Sequence, residues 1–264
     1  MQTFTLTSDF GLQSHAAASV KGKILSAFSP CNIIDVSHSI TPYNLQQAVY
    51  IFKNAYIHFP IDTFHFILND LYADKGQKLL YVYENNQHIF CADNGFLTLL
   101  FDNKPIQLFR LIDKIEEYNY LQIADLFILN AGLLTHQNKS GIANIDVNEI
   151  VVKHHNNRYY RHNTLETKVL YIDIYGNVIL NVTQQQIEEV AQGRSFKILF
   201  MRNEEINTVS KHYNDVAEGN KLCLFNTTGH LEIAVNKGHA ASLFGFQGGN
   251  DRSLFYNNIK LFFE

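Results

Sequence analysis

Acidic residues follow four short apolar segments in the first half of the chain, at points where strands of a sheet would end. They are Asp9, Asp35, Asp70 and Asp93, the last followed directly by Asn94. In open α/β sheets, ligands bind outside the carboxyl ends of the strands, so side chains at these points converge. An ionised carboxylate only accepts hydrogen bonds and therefore suits paired hydroxyl groups such as a ribose diol. Together these residues predict a site for a small polar ligand.

Asp9 lies in the segment Ser8-Asp9-Phe10-Gly11. Asp-Phe-Gly also binds magnesium in protein kinases, but a kinase needs a glycine-rich loop, a strand lysine and a catalytic loop upstream of this segment. Only eight residues precede Asp9, which excludes a kinase. Taken alone, the segment leaves two interpretations open: a ligand-binding carboxylate, or an aspartate that merely caps a turn.

The histidines and cysteines favour neither a metal site nor a nucleophile. His154, His155 and His162 have a spacing that suits metal ligands poorly, which favours a solvated loop. Ser37 and His38 suggest a nucleophile and its base, but adjacent residues of an extended chain point to opposite faces, so the pair carries little weight. The three cysteines share no metal-like spacing and are predicted to be reduced thiols: Cys31, Cys91 and Cys223.

Length and charge narrow the class of protein. The chain has 264 residues, a net charge of −4 and no cluster of basic residues, which argues against a nucleic-acid-binding protein. The N-terminal segment lacks the basic start and apolar stretch of a signal peptide. No segment approaches the roughly 20 apolar residues that cross a bilayer. The sequence therefore predicts a cytoplasmic protein without membrane or nucleic-acid partners.

Alternating apolar strands and amphipathic helices predict an α/β fold for the first part of the chain. Helices are expected at 16–28, 44–59 and 120–134, between strand-like segments. The second part has short strands bounded by Asn-Gly and Thr-Gly turns, typical of a small antiparallel sheet or barrel. We predict an α/β nucleoside-binding domain with a mostly parallel sheet over 1–152, a linker over 153–166, and a smaller all-β, barrel-like domain over 167–264.

Several motifs, spread over nearly the whole chain, are similar to those of the S-adenosylmethionine (SAM) hydroxide adenosyltransferases, relatives of the fluorinase and chlorinase that attack SAM with halide. In the first domain they are SDFG at 8–11, KGKIL at 21–25, IIDVSHSITPYNLQQA at 33–48 and ADNGFL at 92–97. In the second they are VLYIDIYGNVILNV at 169–182 and NTTGHLEIAVNKGHAA at 226–241. Each motif alone is unspecific. In this order, they identify the chain as a divergent member of the family.

The resemblance implies a homotrimer in which SAM lies between the N-terminal domain of one subunit and the C-terminal domain of a neighbour. The reaction is substitution at the ribose 5′ carbon, with methionine as the leaving group. In the hydrolytic branch, water or hydroxide attacks and gives adenosine and methionine. The protein would chiefly position the nucleophile and strip its water. The resemblance implies neither a cofactor nor a metal, with SAM as substrate or ligand.

The matching motifs also imply seven ligand-binding residues. Asp9 would hold the ribose hydroxyls, and Tyr43 would line the sugar side. Those in the second domain would contact adenine or methionine: Asn177 and backbone near Asn236 at the adenine edge, Asp173 in the same turn as Asn177, and Thr227 and Thr228 near the methionine end.

The chain departs from the family at the catalytic positions. The hydrolytic branch has an Asp–Arg–His arrangement, and Asp70 stands at the Asp position. The Arg position falls on Gln77, with Lys75 and Lys78 close by, and the His position falls on Gln122. Glutamine does not take up a proton at neutral pH and lacks the charge with which an arginine lowers a carboxylate pKa. A lysine could replace that charge in part, but with different geometry.

Two hypotheses follow. The first is an enzyme that cleaves SAM with water, using Asp70 with altered supporting residues. The second is a catalytically degenerate protein that binds SAM or adenosine as a sensor or scaffold. General acid–base groups contribute roughly 10²–10⁴-fold to a rate, so two substitutions reduce turnover strongly. The sequence leaves both hypotheses open.

Overall fold

The computed structural model describes residues 1–72, 77–102, 107–111, 119–155, 159–201, 204–246 and 259–264. The chain divides into two compact units, Met1–His155 and Asn156–Glu264. Of the helices that lie in the described ranges, none is both long enough and apolar enough to cross a membrane.

The described part of the first unit contains seven strands and four α-helices. The strands are β1 (Gln2–Ser8), β2 (Cys31–Ser37), β3 (Phe64–Leu68), β4 (Leu79–Glu84), β5 (Gln87–Ala92), β6 (Leu108–Leu111) and β7 (Ile142–Ile145). The helices are α1 (Ala16–Ala27), α2 (Leu45–Tyr56), α3 (Phe96–Leu100) and α4 (Tyr120–Thr135). The three long helices expected from the sequence are therefore present, with ends shifted by a few residues.

All seven strands form one mixed sheet in the order β2-β1-β3-β5-β4-β6-β7. β2, β1, β3 and β5 pair in parallel, whereas β4, β6 and β7 pair antiparallel. The prediction of a mostly parallel sheet is therefore right for only half of it. The error arises at the β4–β5 hairpin, whose turn residues Asn85 and Asn86 have φ of 52° and 59°. Asparagine tolerates this left-handed conformation, which two-residue type I′ hairpin turns require.

Two apolar layers cover the two faces of this sheet. On one face, Val20 and Ile24 of α1 and Phe127 of α4 pack against the phenylalanines of the central strands. On the other face, Val49 and Phe52 of α2 pack with residues of α3 and the sheet. This three-layer arrangement buries the central strands on both sides and fixes where they end.

A histidine lies inside the second layer. His65 of β3 is completely buried, with Nδ1 2.6 Å from the hydroxyl of Thr5 and Nε2 3.2 Å from Oε1 of Gln87. Burial lowers the pKa of His65 to about 4. The neutral ring satisfies both partners, because one nitrogen accepts while the other donates.

The second unit contains nine described strands and two helices. The strands are β8 (Tyr159–Arg161), β9 (Thr164–Thr167), β10 (Val169–Ile172), β11 (Val178–Thr183), β12 (Phe196–Phe200), β13 (Glu204–Ile206), β14 (Lys221–Phe225), β15 (His230–Val235) and β16 (Ile259–Phe263). The helices are α5 (Gln184–Ala191) and α6 (Ala240–Phe244). β8 and most of β9 fall inside the segment predicted as a linker, where they form a hairpin over the turn at His162 and Asn163.

The strands of this unit form two antiparallel sheets, β10-β11-β15-β14 and β13-β12-β16-β9-β8. Side chains from both sheets share one core, including Val178, Ile233 and Leu261. The prediction of an all-β, barrel-like domain is wrong in two respects. The described residues of this unit form two separate sheets without a closed barrel, and they include two α-helices. Strands of a barrel and of two packed sheets show the same alternation of apolar and polar residues, so the pattern does not separate the two architectures.

Candidate functional site

In the first unit, four polar residues lie just beyond one edge of the sheet. β1, β3 and β5 end side by side at this edge, and β4 begins there. Asp9 follows β1 directly, Asp70 lies two residues after β3, Asn94 two residues after β5, and Gln77 two residues before β4. The parallel register of the strands thus brings residues that are far apart in sequence to one edge.

Asp9 is held in place by main-chain hydrogen bonds. Its Oδ2 accepts from the N–H of Asp70 over 3.2 Å and from the N–H of Tyr43 over 3.4 Å. Oδ1 accepts no hydrogen bond from any residue in the described ranges. One carboxylate oxygen is therefore fixed by the protein, and the other remains an acceptor for a ligand.

Both donors to Asp9 have unusual backbone conformations. Asp70 has a φ of 48° and Tyr43 a φ of 66°. Positive φ is uncommon for residues other than glycine, and for a bulky residue such as tyrosine it is an outlier that costs of order 1–3 kcal/mol. Such outliers concentrate at functional sites. The Tyr43 side chain is 77% exposed beside Asp9, at the side where the sequence predicts a sugar.

Two buried asparagines support this edge. The amide of Asn69 lies between the carbonyl of Thr7 and the N–H of Asp9, at 3.1 and 3.2 Å, in the orientation that satisfies both. Asn94 donates from Nδ2 to the carbonyls of Asn69 and Asp70 at 2.9 and 3.1 Å. The sequence predicts Asn94 at this edge but not Asn69, although Asn69 precedes Asp70 directly.

Asp93 and Lys78 form hydrogen bonds with main-chain groups next to the site. Asp93 is buried, and its Oδ1 accepts from the N–H of Val151 over 2.8 Å. The Nζ of Lys78 donates to the carbonyl of Glu149, and its own carbonyl accepts from the N–H of Asp93. Lys75 lies outside the described residues.

Gln77 and Gln122, which the resemblance aligns with catalytic positions, differ in their surroundings. Gln77 is 9% exposed, and neither its amide oxygen nor its amide nitrogen has a hydrogen-bond partner among the described residues. A buried amide without partners is costly, which points to a polar group that joins it. Gln122 lies in the first turn of α4 and forms a capping box with Asn119: its Oε1 accepts from the N–H of Asn119, whose Oδ1 accepts from the N–H of Gln122.

Asp35 and His38 lie at the end of β2. Asp35 forms an ion pair with Lys21 at 2.6 Å, and its Oδ1 lies 3.0 Å from Nε2 of His38. The neighbour of His38 is Ser8, with Oγ 2.6 Å from Nδ1, and not the adjacent Ser37. Sequence spacing could not reveal this pair, because it depends on the register between β1 and β2.

In the second unit, Asp173 and Asn177 form one compact turn. Oδ1 of Asp173 accepts from the N–H groups of Tyr175 and Asn177 at 2.9 and 2.8 Å, and Oδ2 accepts from the side-chain amide of Asn177 at 3.0 Å. Gly176 has a φ of 78°, and a Cβ there would lie 2.2 Å from the ring of His239. The turn therefore requires glycine at this position.

The other predicted residues of the second unit lie in two further turns. Thr228 donates from its N–H and its hydroxyl to Oδ1 of Asn226, whereas Thr227 is exposed. Asn236 donates from Nδ2 to the carbonyl of Val216 at 2.7 Å, and its main-chain groups bond to Asn220 and Gly219. The adenine and methionine contacts of these residues stay predictions.

One buried glutamate of this unit is not among the residues predicted from the sequence. Glu232 on β15 is 3% exposed, and its carboxylate accepts from the hydroxyl of Tyr213 at 2.7 Å and from the amide of Asn226 at 3.3 Å. Burial raises the pKa of Glu232 above its usual range, and hydrogen bonds from Tyr213 and Asn226 oppose this rise. A charged residue in the apolar run HLEIAV is the signal that could have identified it.

A metal site needs several His, Cys, Asp or Glu side chains close together. In the described parts of the chain, no three His, Cys, Asp or Glu residues are placed so that they could hold a metal ion.

Known proteins match the chain over both units. The model of the SAM hydroxide adenosyltransferase N-terminal domain matches residues 4–143, and that of the C-terminal domain matches residues 167–253. Among curated proteins, the (R)-S-adenosyl-L-methionine hydrolase of Methanocaldococcus jannaschii is 24% identical over 256 residues, which cover 92% of each chain.

Solved structures match over nearly their full length. An uncharacterized conserved protein from Thermotoga maritima has a TM-score of 0.80 at 21% identity, covering 98% of this chain and 99% of its own. A conserved hypothetical protein from Thermus thermophilus has a TM-score of 0.72 at 21% identity, covering 99% and 100%. These two proteins share the fold.

Proposed function

Because the chain belongs to the SAM hydroxide adenosyltransferase family, we propose that it binds SAM and cleaves it with water to adenosine and L-methionine. The similarity to a SAM hydrolase supports this assignment at the level of the reaction.

The geometry of Asp9 is the observation that carries the proposal. Its Oδ2 is fixed by the N–H groups of Asp70 and Tyr43, and its Oδ1 has no hydrogen-bond partner among the described residues. A fixed carboxylate with one open oxygen accepts hydrogen bonds from vicinal hydroxyls without reorganisation. The ribose of SAM offers such hydroxyls on its 2′ and 3′ carbons, in the same sugar as the 5′ carbon that reacts.

The reaction needs little beyond positioning. The water oxygen forms a bond to the ribose 5′ carbon as the bond from that carbon to sulfur breaks. The electron pair of the broken bond neutralises the sulfonium and leaves methionine as a thioether. The proton lost by water goes to a base, and we assign that role to Asp70. The proposal includes neither a cofactor nor a metal.

Gln77 is proposed to touch the attacking water. Its buried amide offers one acceptor and two donors that no described residue uses, which suits a water molecule. Because the amide is neutral, it orients water but does not stabilise hydroxide as an arginine would. Turnover is therefore expected to be slow for this family.

A second candidate function is a SAM- or adenosine-binding protein without significant turnover. The capping role of Gln122 favours it, because the side chain at the family's histidine position is engaged in starting α4. The ribose-binding features around Asp9 are the same in both candidates. Only turnover distinguishes them.

Family resemblance also supports a homotrimer as a proposal, with the residues around Asp173 and Asn177 contributing from a neighbouring subunit. Light scattering on the purified protein tests the oligomeric state directly. A monomer at micromolar concentration would contradict this part.

The central experiment incubates the purified protein with SAM in water enriched in ¹⁸O and separates the products by chromatography. The proposal expects adenosine with ¹⁸O in the 5′ hydroxyl, together with methionine. Calorimetry with SAM and adenosine is run alongside. Binding without product would favour the second candidate, and binding of neither compound would overturn both.

A further inference from the structure

A chain of polar contacts joins the turn that carries Asp9 to the protein surface. It runs from Ser8 through His38 to Asp35 and ends at Lys21. Ser8 and His38 are buried, whereas the side chains of Lys21 and Asp35 are 34% and 39% exposed. The contacts therefore connect the interior of the site to charges in contact with solvent.

The side chain of His38 lies between Ser8 and Asp35. Partial burial raises the pKa of Asp35, but hydrogen bonds from Lys21 and His38 outweigh this effect and hold the pKa below its usual range. Nε2 of His38 lies 3.0 Å from Oδ1 of Asp35. Nδ1 of His38 lies 2.6 Å from Oγ of Ser8, within hydrogen-bond distance. The Oγ of Ser8 in turn accepts from the N–H of Phe10 over 3.3 Å.

His38 holds the Asp9 turn at both of its ends. Its side chain bonds to Ser8, and its main-chain carbonyl accepts from the N–H of Gly11 over 2.8 Å. Gly11 has a φ of 74°, in the left-handed region that favours glycine. Asp9 and Phe10 are the two residues between these anchor points.

This arrangement orders the turn and does not supply a nucleophile. Ser8 is completely buried, and its oxygen is used on both sides within the turn. A nucleophilic serine must instead direct its oxygen at the reacting carbon of the substrate.

We propose that His38 is a positioning residue which, with Ser8, orients the Asp9 carboxylate for the ribose hydroxyls before the ligand arrives. The inference rests on the proposed function, because it takes Asp9 as the ribose-binding group. A preorganised carboxylate binds more tightly, since less conformational freedom is lost on binding.

Two substitutions of His38 separate positioning from simple burial. The amide of asparagine occupies about the place of Nδ1 and keeps a partner for Ser8. The longer glutamine reaches toward Asp35 and gives up the bond to Ser8. H38Q should therefore release the turn, and H38N should keep it. Thermal unfolding confirms that both variants fold.

Two measurements are made on the wild-type protein and both variants. Calorimetry compares the affinity for adenosine with that for 2′-deoxyadenosine, which lacks one hydroxyl for Asp9. Hydrogen exchange follows the amides of Phe10 and Gly11, which report on the turn without any ligand. H38Q should reduce the preference for adenosine about tenfold and speed exchange at both amides about tenfold, whereas H38N should stay within about threefold of wild type.

The outcomes distinguish this inference from the proposed function. Equal preference and equal exchange in H38Q, H38N and wild type would overturn the positioning role. Fast exchange in H38Q with an unchanged preference for adenosine would also overturn it, because the turn would then not control ribose binding. Wild-type protein that binds neither nucleoside would overturn the proposed function, whatever the exchange rates show of the turn.

Discussion

The main-chain N–H of Asp70 donates to Oδ2 of Asp9 over 3.2 Å, so the residue proposed as base and the residue proposed to hold ribose are directly joined. Because this hydrogen bond comes from the main chain of Asp70, a substitution of its side chain can leave the bond to Asp9 in place. Binding and chemistry at this edge of the sheet can therefore be tested by different substitutions.

Replacing Asp9 with alanine should weaken adenosine binding about 10- to 100-fold. The change removes a charged acceptor, whose hydrogen bonds contribute about 1.5–3 kcal/mol each. Calorimetry measures the affinities of the wild-type protein and of D9A for adenosine and for 2′-deoxyadenosine, and the four values form a double-mutant cycle. If Asp9 binds the ribose, the variant should lose most of the wild-type preference for adenosine. An unchanged preference would leave Asp9 as a turn cap only.

Replacing Asp70 with asparagine should reduce SAM cleavage by roughly 10²–10⁴-fold while SAM affinity changes little. Asparagine tolerates the φ of 48° at this position and keeps the main-chain N–H that holds Asp9. Asp102 offers a control, since it is another aspartate with positive φ, at 52°, although it is exposed whereas Asp70 is half-buried. D102N should leave single-turnover rates unchanged. Undiminished turnover in D70N would exclude Asp70 as the base.

The convergence of Asp9 and Asp70 could be predicted because ends of parallel strands meet at one edge whatever their sequence separation. The backbone conformations that aim the N–H groups of Asp70 and Tyr43 at Asp9 could not. Positive φ is an outlier for a bulky residue such as Tyr43, so its sequence gives no signal for it. The pair Ser8 and His38 also escaped prediction, because it depends on the register between β1 and β2.

The sheet shows which local signals suffice and which do not. The helix periodicity of α1, α2 and α4 located them within a few residues. The hairpin at Asn85 and Asn86 carried a recognisable turn signal that would have corrected the expected strand direction. For the second unit, strand alternation alone could not choose between a barrel and two sheets, since closure depends on which strands pair at the edges.

Replacing Gly176 with alanine should destabilise the second unit and weaken nucleoside binding through the Asp173–Asn177 turn. The alanine would have to adopt a φ of 78°, and its Cβ would lie 2.2 Å from the ring of His239. The conformation alone costs about 1–2 kcal/mol, and the clash adds to this. Gly193 is the matched control, with a φ of 86° and open space around it. G193A should show only the conformational cost in chemical denaturation and bind adenosine normally. Equal unfolding free energies for the two variants would contradict the clash.

Stability should fall as pH decreases from 7 toward 4, in part through His65. Its pKa is lowered to about 4 in the folded protein by burial, from an ordinary value near 6.5. Between these values the unfolded chain binds more protons, so folding stability is complete above pH ~6.5 and is lost as pH falls. For a shift of this size, the loss between pH 7 and 5 is about 2 kcal/mol.

Denaturant unfolding of H65Q measures this contribution. The variant is less stable at pH 7, because the bonds of His65 to Thr5 and Gln87 are altered. Its free energy of unfolding should also depend less on pH, since a group that becomes charged on unfolding has been removed. The exposed His136 serves as control, and H136Q should keep the wild-type pH dependence. If H65Q and wild type lose the same free energy between pH 7 and 5, His65 is not a source of the acid sensitivity.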